Sequence, residues 1–329
     1  MITNKMNNNL ACIFPGQGSQ SIGMLDSFNQ QTIVKQTIEE ASSALDEDIN
    51  KIITQGPVEK LNSTVYTQPI MLACSIAIYR LWLQKSGTIP SILAGHSLGE
   101  YSALVASEAI DFFECIKLVR FRAKAMQNAV PKGFGTMAAI IGLDANIVVS
   151  TCQEITSNYS NNLVVQAANF NSKQQTVIAG NIEAVNKACE ILKSKGAKKA
   201  LVLPVSAPFH CSLLKPAGDE LQEYLKNIKI STPKIQLLNN VDVNLYTNTT
   251  TEAEIKEALV RQVYSPVRWV ETIEAIEPKV KNFVEMGVGK VLQGLVKRII
   301  STNNTANIYT TDTLENLQAS LTSLSYIPA

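Results

Sequence analysis

The stretch SILAGHSLGEYSALVA, residues 91–106, carries the pattern that decides the fold. Its first four residues predict a short strand, and the alanine-rich run after Gly99 predicts a helix. The turn between them has the pattern Gly-x-Ser-x-Gly, in which small residues allow a strand to bend sharply into a helix. The stretch therefore predicts an α/β fold with Ser97 at the carboxyl end of a strand.

Two other segments repeat the order of strand, glycine-containing turn and helix. The first runs from a strand at 11–14 into a turn at 15–20, and the second begins with a strand at 282–286. Elsewhere, a proline opens a helical stretch at 69–84 and an aspartate caps another at 111–130. Repeated units of this kind predict an α/β domain with a mainly parallel sheet.

The middle of the chain has a different order of elements. Strands are predicted at 136–141, 163–168, 176–179 and 200–205, with helices capped by Asp144 and Asn181 that end near 154 and 194. The order β-α-β-β-α-β is that of a ferredoxin-like unit, whose two ends lie close together and permit insertion into a larger domain. We predict such an insert at 132–204, within an α/β domain formed by residues 1–131 and 205–329.

The composition is that of a globular chain without a strong net charge. Of 329 residues, 46% are apolar and 17% charged, and 29 basic against 28 acidic side chains leave a net charge of +1. The net charge therefore does not indicate a nucleic-acid or membrane partner. Apolar runs fall far short of the ~20 residues that span a bilayer, and no signal-peptide core or close cysteine pair is evident. We therefore predict a cytoplasmic protein with reduced cysteines and no metal site.

Ser97 lies where a nucleophile would stand. The following helix directs free N–H groups toward the turn, which favours a serine nucleophile over a purely structural glycine turn. A serine hydroxyl needs a base, and the chain has only two histidines, His96 and His210. His96 is a poor candidate because consecutive residues leaving a strand point to opposite sides. His210 is the predicted base, with a surface loop histidine as the alternative.

No acid stands in a convincing position to orient His210. In the usual hydrolase order the acid falls between serine and histidine, but Asp111 caps a helix and Asp144 lies in the predicted insert. A serine–histidine dyad whose imidazole is held by a backbone carbonyl is the more economical interpretation.

Arg122 borders the apolar stripe of the helix at 111–130, ~80° from the centre of that stripe. A guanidinium in this position holds an anion, and spacing alone leaves open whether that anion is a structural carboxylate or the carboxylate of a ligand. Arg120 and Lys124 lie on the opposite flank, where contact with solvent is expected.

The first glycine-rich turn, residues 16–21, begins like a dinucleotide-binding fingerprint. Ser21 stands where that fingerprint has its third glycine, which disfavours NAD. If the first strand lies beside the strand before Ser97, this turn can instead donate a backbone N–H to an oxyanion.

Taken together, these features resemble one family, the malonyl-CoA:acyl carrier protein transacylases of bacterial fatty acid synthesis. The resemblance covers nearly the whole chain and rests on FPGQGSQ at 14–20, TQP at 67–69, AGHSLGEYSAL at 94–104, MAAIIGL at 137–143, NFNS at 169–172, VIAG at 177–180, NNVDV at 239–243, ALVRQVYSPVRW at 258–269 and VGKVLQGL at 288–295. It implies an α/β-hydrolase-like large domain that carries a ferredoxin-like insert.

The resemblance also implies roles for individual residues. Ser97 would be the acylated nucleophile and His210 its base, with the backbone around Gln262 orienting the imidazole. The amides of Gln17 and Leu98 would form the oxyanion hole.

Arg122 would bind the free carboxylate of a malonyl group. The implied reaction is ping-pong transfer from malonyl-CoA to the phosphopantetheine thiol of acyl carrier protein, by a monomer without a cofactor. An acidic carrier protein needs a local basic surface, for which the candidates are Lys198, Lys199, Lys290, Lys297 and Arg298. Phe209 and Val288 depart from residues found in some relatives, which affects only local loop shape.

Two other functions remain open at this point. The same serine, base and oxyanion pocket would also serve an esterase or thioesterase, which passes the acyl group to water. A noncatalytic module that docks carrier protein is a third possibility, and it requires no acyl group on Ser97.

Overall fold

The computed structural model describes residues 5–86, 88–158, 163–205, 207–300 and 306–325. The outer ends of the predicted large domain, residues 1–4 and 326–329, lie outside the described residues, as does residue 206 in the loop before His210. The strands are β1 (Lys5–Phe14), β2 (Thr88–Gly95), β3 (Gly135–Ile141), β4 (Val165–Ser172), β5 (Gln175–Asn181), β6 (Lys199–Val202), β7 (Gln236–Leu238), β8 (Leu245–Tyr246), β9 (Asn282–Glu285) and β10 (Asn307–Thr310).

Thirteen α-helices connect these strands within the described part of the chain. They are α1 (Thr32–Leu45), α2 (Ile49–Gln55), α3 (Val58–Asn62), α4 (Thr64–Ser86), α5 (Gly99–Ala106), α6 (Phe112–Asn128), α7 (Ala145–Asn158), α8 (Ile182–Ser194), α9 (Lys215–Leu225), α10 (Glu252–Tyr264), α11 (Trp269–Ile276), α12 (Val291–Ile299) and α13 (Leu314–Ser325). Short 3-10 turns occur at Asp26–Phe28 and Ser212–Leu214.

The larger sheet has six strands in the order β10-β9-β1-β2-β7-β8. All neighbouring strands are parallel except β7 and β8. β1 and β2 lie side by side, with Phe14 opposite Gly95, so the turns that follow both strands meet at one edge of the sheet. This adjacency is the condition under which the first glycine-rich turn can approach Ser97.

Burial along β1 explains why this sheet is covered on both faces. Leu10, Cys12 and Phe14 belong to the main apolar cluster, whereas Ala11 and Ile13 belong to a second cluster with Trp269. Successive side chains of a strand point to opposite faces, so one short apolar strand contributes to two cores. This pattern is typical of a parallel sheet between two helical layers.

The smaller sheet has the order β4-β5-β3-β6 and is antiparallel throughout. α7 and α8 contribute to its own apolar cluster, which includes Ile140, Val148 and Leu192. The order of elements and the strand order are those of a ferredoxin-like unit. The mixed α/β fold with a parallel sheet and a separate antiparallel sheet confirms the predicted fold class.

One predicted helix start was wrong, and one predicted side-chain cap is not formed. α4 begins at Thr64, five residues before Pro69, so the proline lies inside the helix. A proline so close to the start removes only one helical hydrogen bond, and Ser63 O accepts from the Tyr66 and Thr67 N–H groups of the first turn. Asn181 does precede α8, but its side chain makes no cap and instead accepts from Val164 N–H at 2.6 Å.

Asp111 and Asp144 lie where the sequence predicts caps. Asp111 Oδ1 accepts from Glu114 N–H at 3.1 Å, and Asp144 Oδ1 accepts from Asn146 N–H at 2.8 Å. Both carboxylates stabilise the first turn of a helix, which satisfies donors that the helix itself cannot pair. Among the described helices, none combines the length and hydrophobicity that crossing a bilayer requires.

Candidate active site

The turn between β2 and α5 depends on its two glycines. A Cβ atom on Gly95 would lie 1.9 Å from the carbonyl carbon of Gly99, and one on Gly99 would lie 2.0 Å from Phe14 O. Neither distance can accommodate a side chain, because both partners are backbone atoms. Ser97 between them has a φ of 52°, which is the strained left-handed conformation that a nucleophile elbow imposes on its serine.

Asn240, in the loop after β7, holds this turn from the other side. Its Oδ1 accepts from Ser97 N–H at 2.7 Å, and its Nδ2 donates to Gly95 O at 2.7 Å. Sequence reasoning missed this residue, although the motif NNVDV that contains it was among those carrying the resemblance. A buried amide with both ends paired to one turn explains how the strained conformation persists.

His210 lies next to Ser97 despite the long separation in sequence. The Ser97 Oγ–His210 Nε2 distance is 2.7 Å, and the His210 Nδ1–Gln262 O distance is 2.9 Å. Since a carbonyl oxygen can only accept, Nδ1 carries the proton and Nε2 accepts from the serine hydroxyl. The geometry is that of a dyad oriented by a backbone carbonyl, with no carboxylate on the imidazole within the described residues.

The environment of His210 keeps its imidazole neutral. Burial, and then the positive charge of Arg122, lower the pKa of His210 from its ordinary value of 6.5 to about 3. Both effects act in the same direction because each disfavours the imidazolium. A neutral imidazole is the form that can accept a proton from a serine hydroxyl.

His96 takes no part in this pair. Its Nε2 lies 2.8 Å from Asn171 Oδ1 of β4, and its ring meets Trp269 edge-on with ring centres 5.4 Å apart. The side chain therefore links the turn to the smaller sheet, in agreement with its predicted direction away from the serine.

Arg122 lies deeper than its helical position predicts. The residue is only 1% exposed, because α6 packs between α1, α4 and α9 rather than lying at the edge of the core. Nη1 donates to Gln68 Oε1 at 2.7 Å, while Nη2 donates to Gln262 Oε1 at 2.8 Å and to Ser97 Oγ at 3.2 Å. These partners are neutral oxygens, so the guanidinium has no carboxylate among its hydrogen-bond partners in the described chain.

Gln68 is a second residue that sequence reasoning missed. It lies in α4 within the motif TQP and is 3% exposed. Its amide oxygen holds one arm of Arg122, so its function is visible only when α4 and α6 are packed together. The motif itself was the available signal.

Gln17 and Leu98 line the same cavity as Ser97. The backbone N–H groups of these two residues donate no hydrogen bond to any described residue. The two turns are pressed together, since a Cβ atom on Gly16 would lie 2.6 Å from His96 O. Two unpaired N–H groups beside a serine hydroxyl are the arrangement that an oxyanion hole requires.

The cavity above Ser97 has a volume of about 750 Å³ and is walled by both sheets. Met137 and Val177 line it from the smaller sheet, and Leu292 and Leu295 line it from α12. Phe209 also lines the cavity, so this departure from some relatives lies in the wall itself, whereas Val288 is buried. This volume lies within the range of pockets that bind small-molecule ligands.

The described residues contain no group of three or more His, Cys, Asp or Glu side chains that could hold a metal ion. All six cysteines are free and buried. Burial raises the pKa of Cys211 to about 12, so its thiol is protonated and unreactive although it is next to His210 in sequence.

Fold and site together define a class: α/β proteins with a serine at a strand-to-helix turn and a histidine on its hydroxyl, typical of serine-dependent acyl transfer. The chain belongs to the acyl transferase domain family, whose model matches residues 11–321. It is similar to malonyl CoA-acyl carrier protein transacylase of Haemophilus influenzae, with 51% identity over 88% of this chain and 92% of that protein.

Solved structures agree with this assignment. The acyl-carrier-protein S-malonyltransferase of Burkholderia pseudomallei superposes with a TM-score of 0.91 at 51% identity, covering 95% of this chain and 99% of that one. A malonyl-transacylase in complex with its type II PKS acyl-carrier protein superposes with a TM-score of 0.91 at 46% identity, covering 96% and 99%. The family resemblance that the sequence motifs indicate is thereby confirmed.

Proposed function

We propose that this protein transfers a malonyl group from malonyl-CoA to the phosphopantetheine thiol of acyl carrier protein. The observation that carries the proposal is the Ser97 hydroxyl, which lies 2.7 Å from His210 Nε2 and 3.2 Å from Arg122 Nη2. A base and a carboxylate-binding cation thus meet on one nucleophile. The names of the relatives support the same substrate class.

In the first half-reaction, Ser97 Oγ attacks the thioester carbonyl of malonyl-CoA. His210 Nε2 takes the hydroxyl proton, while Gln262 O keeps the imidazole in the required tautomer. The N–H groups of Gln17 and Leu98 stabilise the negative charge on the carbonyl oxygen. The carbon–sulfur bond then breaks, the proton passes from His210 to the CoA thiolate, and malonyl-Ser97 remains.

The second half-reaction is the reverse with a different thiol. The phosphopantetheine sulfur attacks the ester carbonyl while His210 takes the thiol proton. The bond between the acyl carbon and Ser97 Oγ breaks, and the proton returns to that oxygen. The nucleophile is regenerated, and one thioester has been exchanged for another without a cofactor.

Arg122 supplies the preference for malonyl over acetyl groups in this proposal. Its planar guanidinium can meet the free carboxylate of malonyl through two hydrogen bonds. Buried charges require a partner, and an acetyl group would leave the guanidinium without one. A bound carboxylate would also fix the direction in which the thioester carbonyl faces the serine.

An esterase or thioesterase on the same residues is the alternative, and the transacylase names of the relatives do not favour it. It predicts that free malonate appears as fast as CoA is released, even with carrier protein present. A noncatalytic docking module predicts that Ser97 never carries an acyl group.

One experiment separates these functions. The protein is mixed with malonyl-CoA labelled in the malonyl group, with and without carrier protein, and the label is followed by intact-protein mass spectrometry. Transfer predicts an adduct on Ser97 that moves to carrier protein when it is added. Ser97→Ala is the control and should show neither adduct nor transfer. Label that appears only in free malonate would contradict the proposal.

The partner and setting are also proposed. Lys198, Lys199, Lys290, Lys297 and Arg298 are all exposed. An acidic carrier protein would bind such basic side chains, so charge reversal at these positions should raise KM for carrier protein alone.

We further propose a monomer that acts in the cytoplasm in fatty acid synthesis. Buried free cysteines are compatible with a reducing compartment. Light scattering tests the oligomeric state, and cell fractionation tests the cytoplasmic location.

A further inference from the structure

Glu100 is a buried acid that the proposed transfer steps do not use. It is the second residue of α5 and only 1% exposed. Its Oε2 accepts from Gln262 Nε2 at 2.7 Å and from Asn240 N–H at 3.0 Å, while its Oε1 has no hydrogen-bond partner among the described residues. A carboxylate in such a place is costly, which calls for a reason.

The reason lies in the amide of Gln262, which has one accepting end and one donating end. Arg122 can only donate, so it requires Gln262 Oε1, which it meets at 2.8 Å. An ionised Glu100 can only accept, so it requires Gln262 Nε2. The two charged groups therefore fix the amide in one orientation, and in that orientation Nε2 also donates to Ser97 O at 3.0 Å.

Gln262 also holds the base, through its backbone rather than its side chain. Its carbonyl oxygen accepts from His210 Nδ1 at 2.9 Å, and the residue is fully buried. A change in the position of Gln262 would therefore move Arg122 and His210, which both contact Ser97 Oγ.

We infer that Glu100 is a positioning residue, which through Gln262 sets both Arg122 and His210 on the Ser97 hydroxyl. The inference rests on the proposed malonyl transfer, because its effect is on the group that would bind the malonyl carboxylate. Glu100 touches neither the serine hydroxyl nor the cavity, so it acts only through its neighbours.

The charge of Glu100 fits this role near pH 8. Burial raises the pKa of Glu100 to about 7, against the opposing effects of Gln262, the Asn240 N–H and the charge of Arg122. The carboxylate is then mostly ionised at about pH 8, and it can only accept. The variants are therefore compared at that pH.

The first test compares Glu100→Ala with Glu100→Gln, using the rates of Ser97 acylation by malonyl-CoA and by acetyl-CoA. Alanine removes the charged one of the two acceptors of Gln262 Nε2 and leaves only Ser97 O, so the malonyl-to-acetyl ratio should fall roughly ten- to a hundred-fold. Glutamine keeps an oxygen of the same size in place and should restore most of that ratio. An unchanged ratio in a folded Glu100→Ala protein would overturn the inference.

The second test removes the side-chain amide of Gln262, through which Glu100 would act. Gln262→Met removes both ends of the amide but keeps the backbone carbonyl that accepts from His210, so the ratio should fall in the same direction. Glu100→Met keeps the size of the side chain but removes its acceptor. If Glu100 acts through Gln262, the effects of Glu100→Met and Gln262→Met will not add in the double variant. Additive effects would show that the two residues act independently, and this measurement serves even if Glu100→Ala does not fold.

Glu285 is a matched control for the removal of a buried carboxyl group. It is fully buried, burial raises its pKa to about 7, and it caps α12 by accepting from Leu292 N–H and Gln293 N–H. Glu285→Ala should lower stability and leave the malonyl-to-acetyl ratio as in the wild type. An equal shift of the ratio in this control would assign the effect of Glu100 to stability alone.

Failure of the inference differs from failure of the proposed function. If the wild-type protein forms no malonyl-Ser97 adduct, the transfer reaction itself is wrong. If the wild type forms the adduct with a malonyl preference that Glu100→Ala leaves intact, only the role of Glu100 is wrong.

Discussion

Arg122 carries a positive charge at 1% exposure, and its hydrogen-bond partners in the described chain are amide and hydroxyl oxygens. Burial lowers the pKa of its guanidinium, while the negative charge of Glu100 opposes that effect across the amide of Gln262. We propose that this buried cation, which has no carboxylate among its hydrogen-bond partners in the described chain, binds the carboxylate of the substrate. The preference of the enzyme for its acyl group is thus expected to depend on one residue.

We expect Arg122→Met to reduce Ser97 acylation by malonyl-CoA about a hundred-fold or more, since about 3 kcal/mol of charge-assisted hydrogen bonding is lost. Acylation by acetyl-CoA should fall far less. The measurement is the rate of CoA release with each thioester. Arg120→Met, on the same helix but bound to Glu47, is the control and should keep the wild-type ratio. An unchanged malonyl preference in Arg122→Met would refute the carboxylate-binding role.

His210 should stay neutral well below the ordinary pH range of histidine, since its pKa is lowered to about 3. Only two histidines are present, so their imidazole signals can be followed by NMR as the pH falls. We expect His210 to show a single neutral tautomer, protonated at Nδ1, from about pH 8 to about pH 5.

Arg122→Met removes the second-largest cause of this lowering, after burial. The pKa of His210 should therefore rise in that variant, so the imidazole becomes protonated at a higher pH than in the wild type. His96→Gln assigns the signals, because it leaves His210 as the only imidazole. A wild-type His210 that titrates near pH 6.5 would contradict the buried, neutral base.

The turn between β2 and α5 is the element on which the site depends, and glycine is required there by backbone contact rather than by flexibility. Gly99→Ala would place a methyl group 2.0 Å from Phe14 O at the end of β1. We expect the free energy of unfolding to fall by about 3 kcal/mol or more, since neither backbone can move without breaking the parallel pairing. Urea denaturation measures the change.

Gly294→Ala in α12 is the matched control for that substitution. No atom lies within 4 Å of the Cβ position at Gly294, and its φ is helical. Alanine should therefore stabilise the protein by about 0.5–1 kcal/mol, because glycine is a poor residue inside a helix. A Gly99→Ala protein as stable as Gly294→Ala would show that the start of α5 is not in close contact with the end of β1.

The smaller sheet closes around its own core, and we propose that it forms the insert at 132–204 within a domain of residues 1–131 and 205–329. Lys132 is exposed between α6 and β3. We expect limited trypsin digestion of the whole protein to cut first after Lys132, since exposed connections between compact units are the preferred sites. Lys132→Gln should remove that cut. Early cleavage after Lys187 or Lys193, inside α8, would contradict these boundaries.

At the scale of the whole molecule, the cavity belongs to neither sheet alone. Val177 in β5 and Leu295 in α12 line it together, and Asn171 of β4 is bonded to His96 beside the nucleophile. Substrate that enters here must contact both parts of the fold.

We expect malonyl-CoA to slow amide hydrogen exchange in both parts when it binds Ser97→Ala, which cannot be acylated. Protection should appear at 165–181 and at 288–295, and saturation at about a hundred times Kd should add about 2.7 kcal/mol of stability. The groove between α9 and α10, which includes Lys226, is remote from the cavity lining and should show no protection. Protection confined to one sheet would place the ligand elsewhere.

Local sequence determined the features that depend on neighbours along the chain. The glycines around Ser97, the caps at Asp111 and Asp144, and the alternation of apolar residues in β1 each follow from short-range sterics and hydrogen bonding. The fold class, the turn at Ser97 and the direction of His96 away from the serine were predictable for that reason. The start of α4 was not, because a proline near a helix start reduces helical hydrogen bonding by so little that packing decides the boundary.

Only the tertiary structure decided which distant side chains meet. Gln68 and Asn240 come from separate elements, and no spacing along the chain relates them to Ser97. Glu100 lies three residues after Ser97, but its contact with Gln262 of α10 joins residues 162 positions apart. Arg122 looked like a residue at the border of the core because helical periodicity describes one helix, whereas its full burial results from the helices packed on three sides of it. Hydrogen bonds and charge act through a few ångströms of space, so the network on the serine exists only once β2, α4, α6 and α10 are brought together.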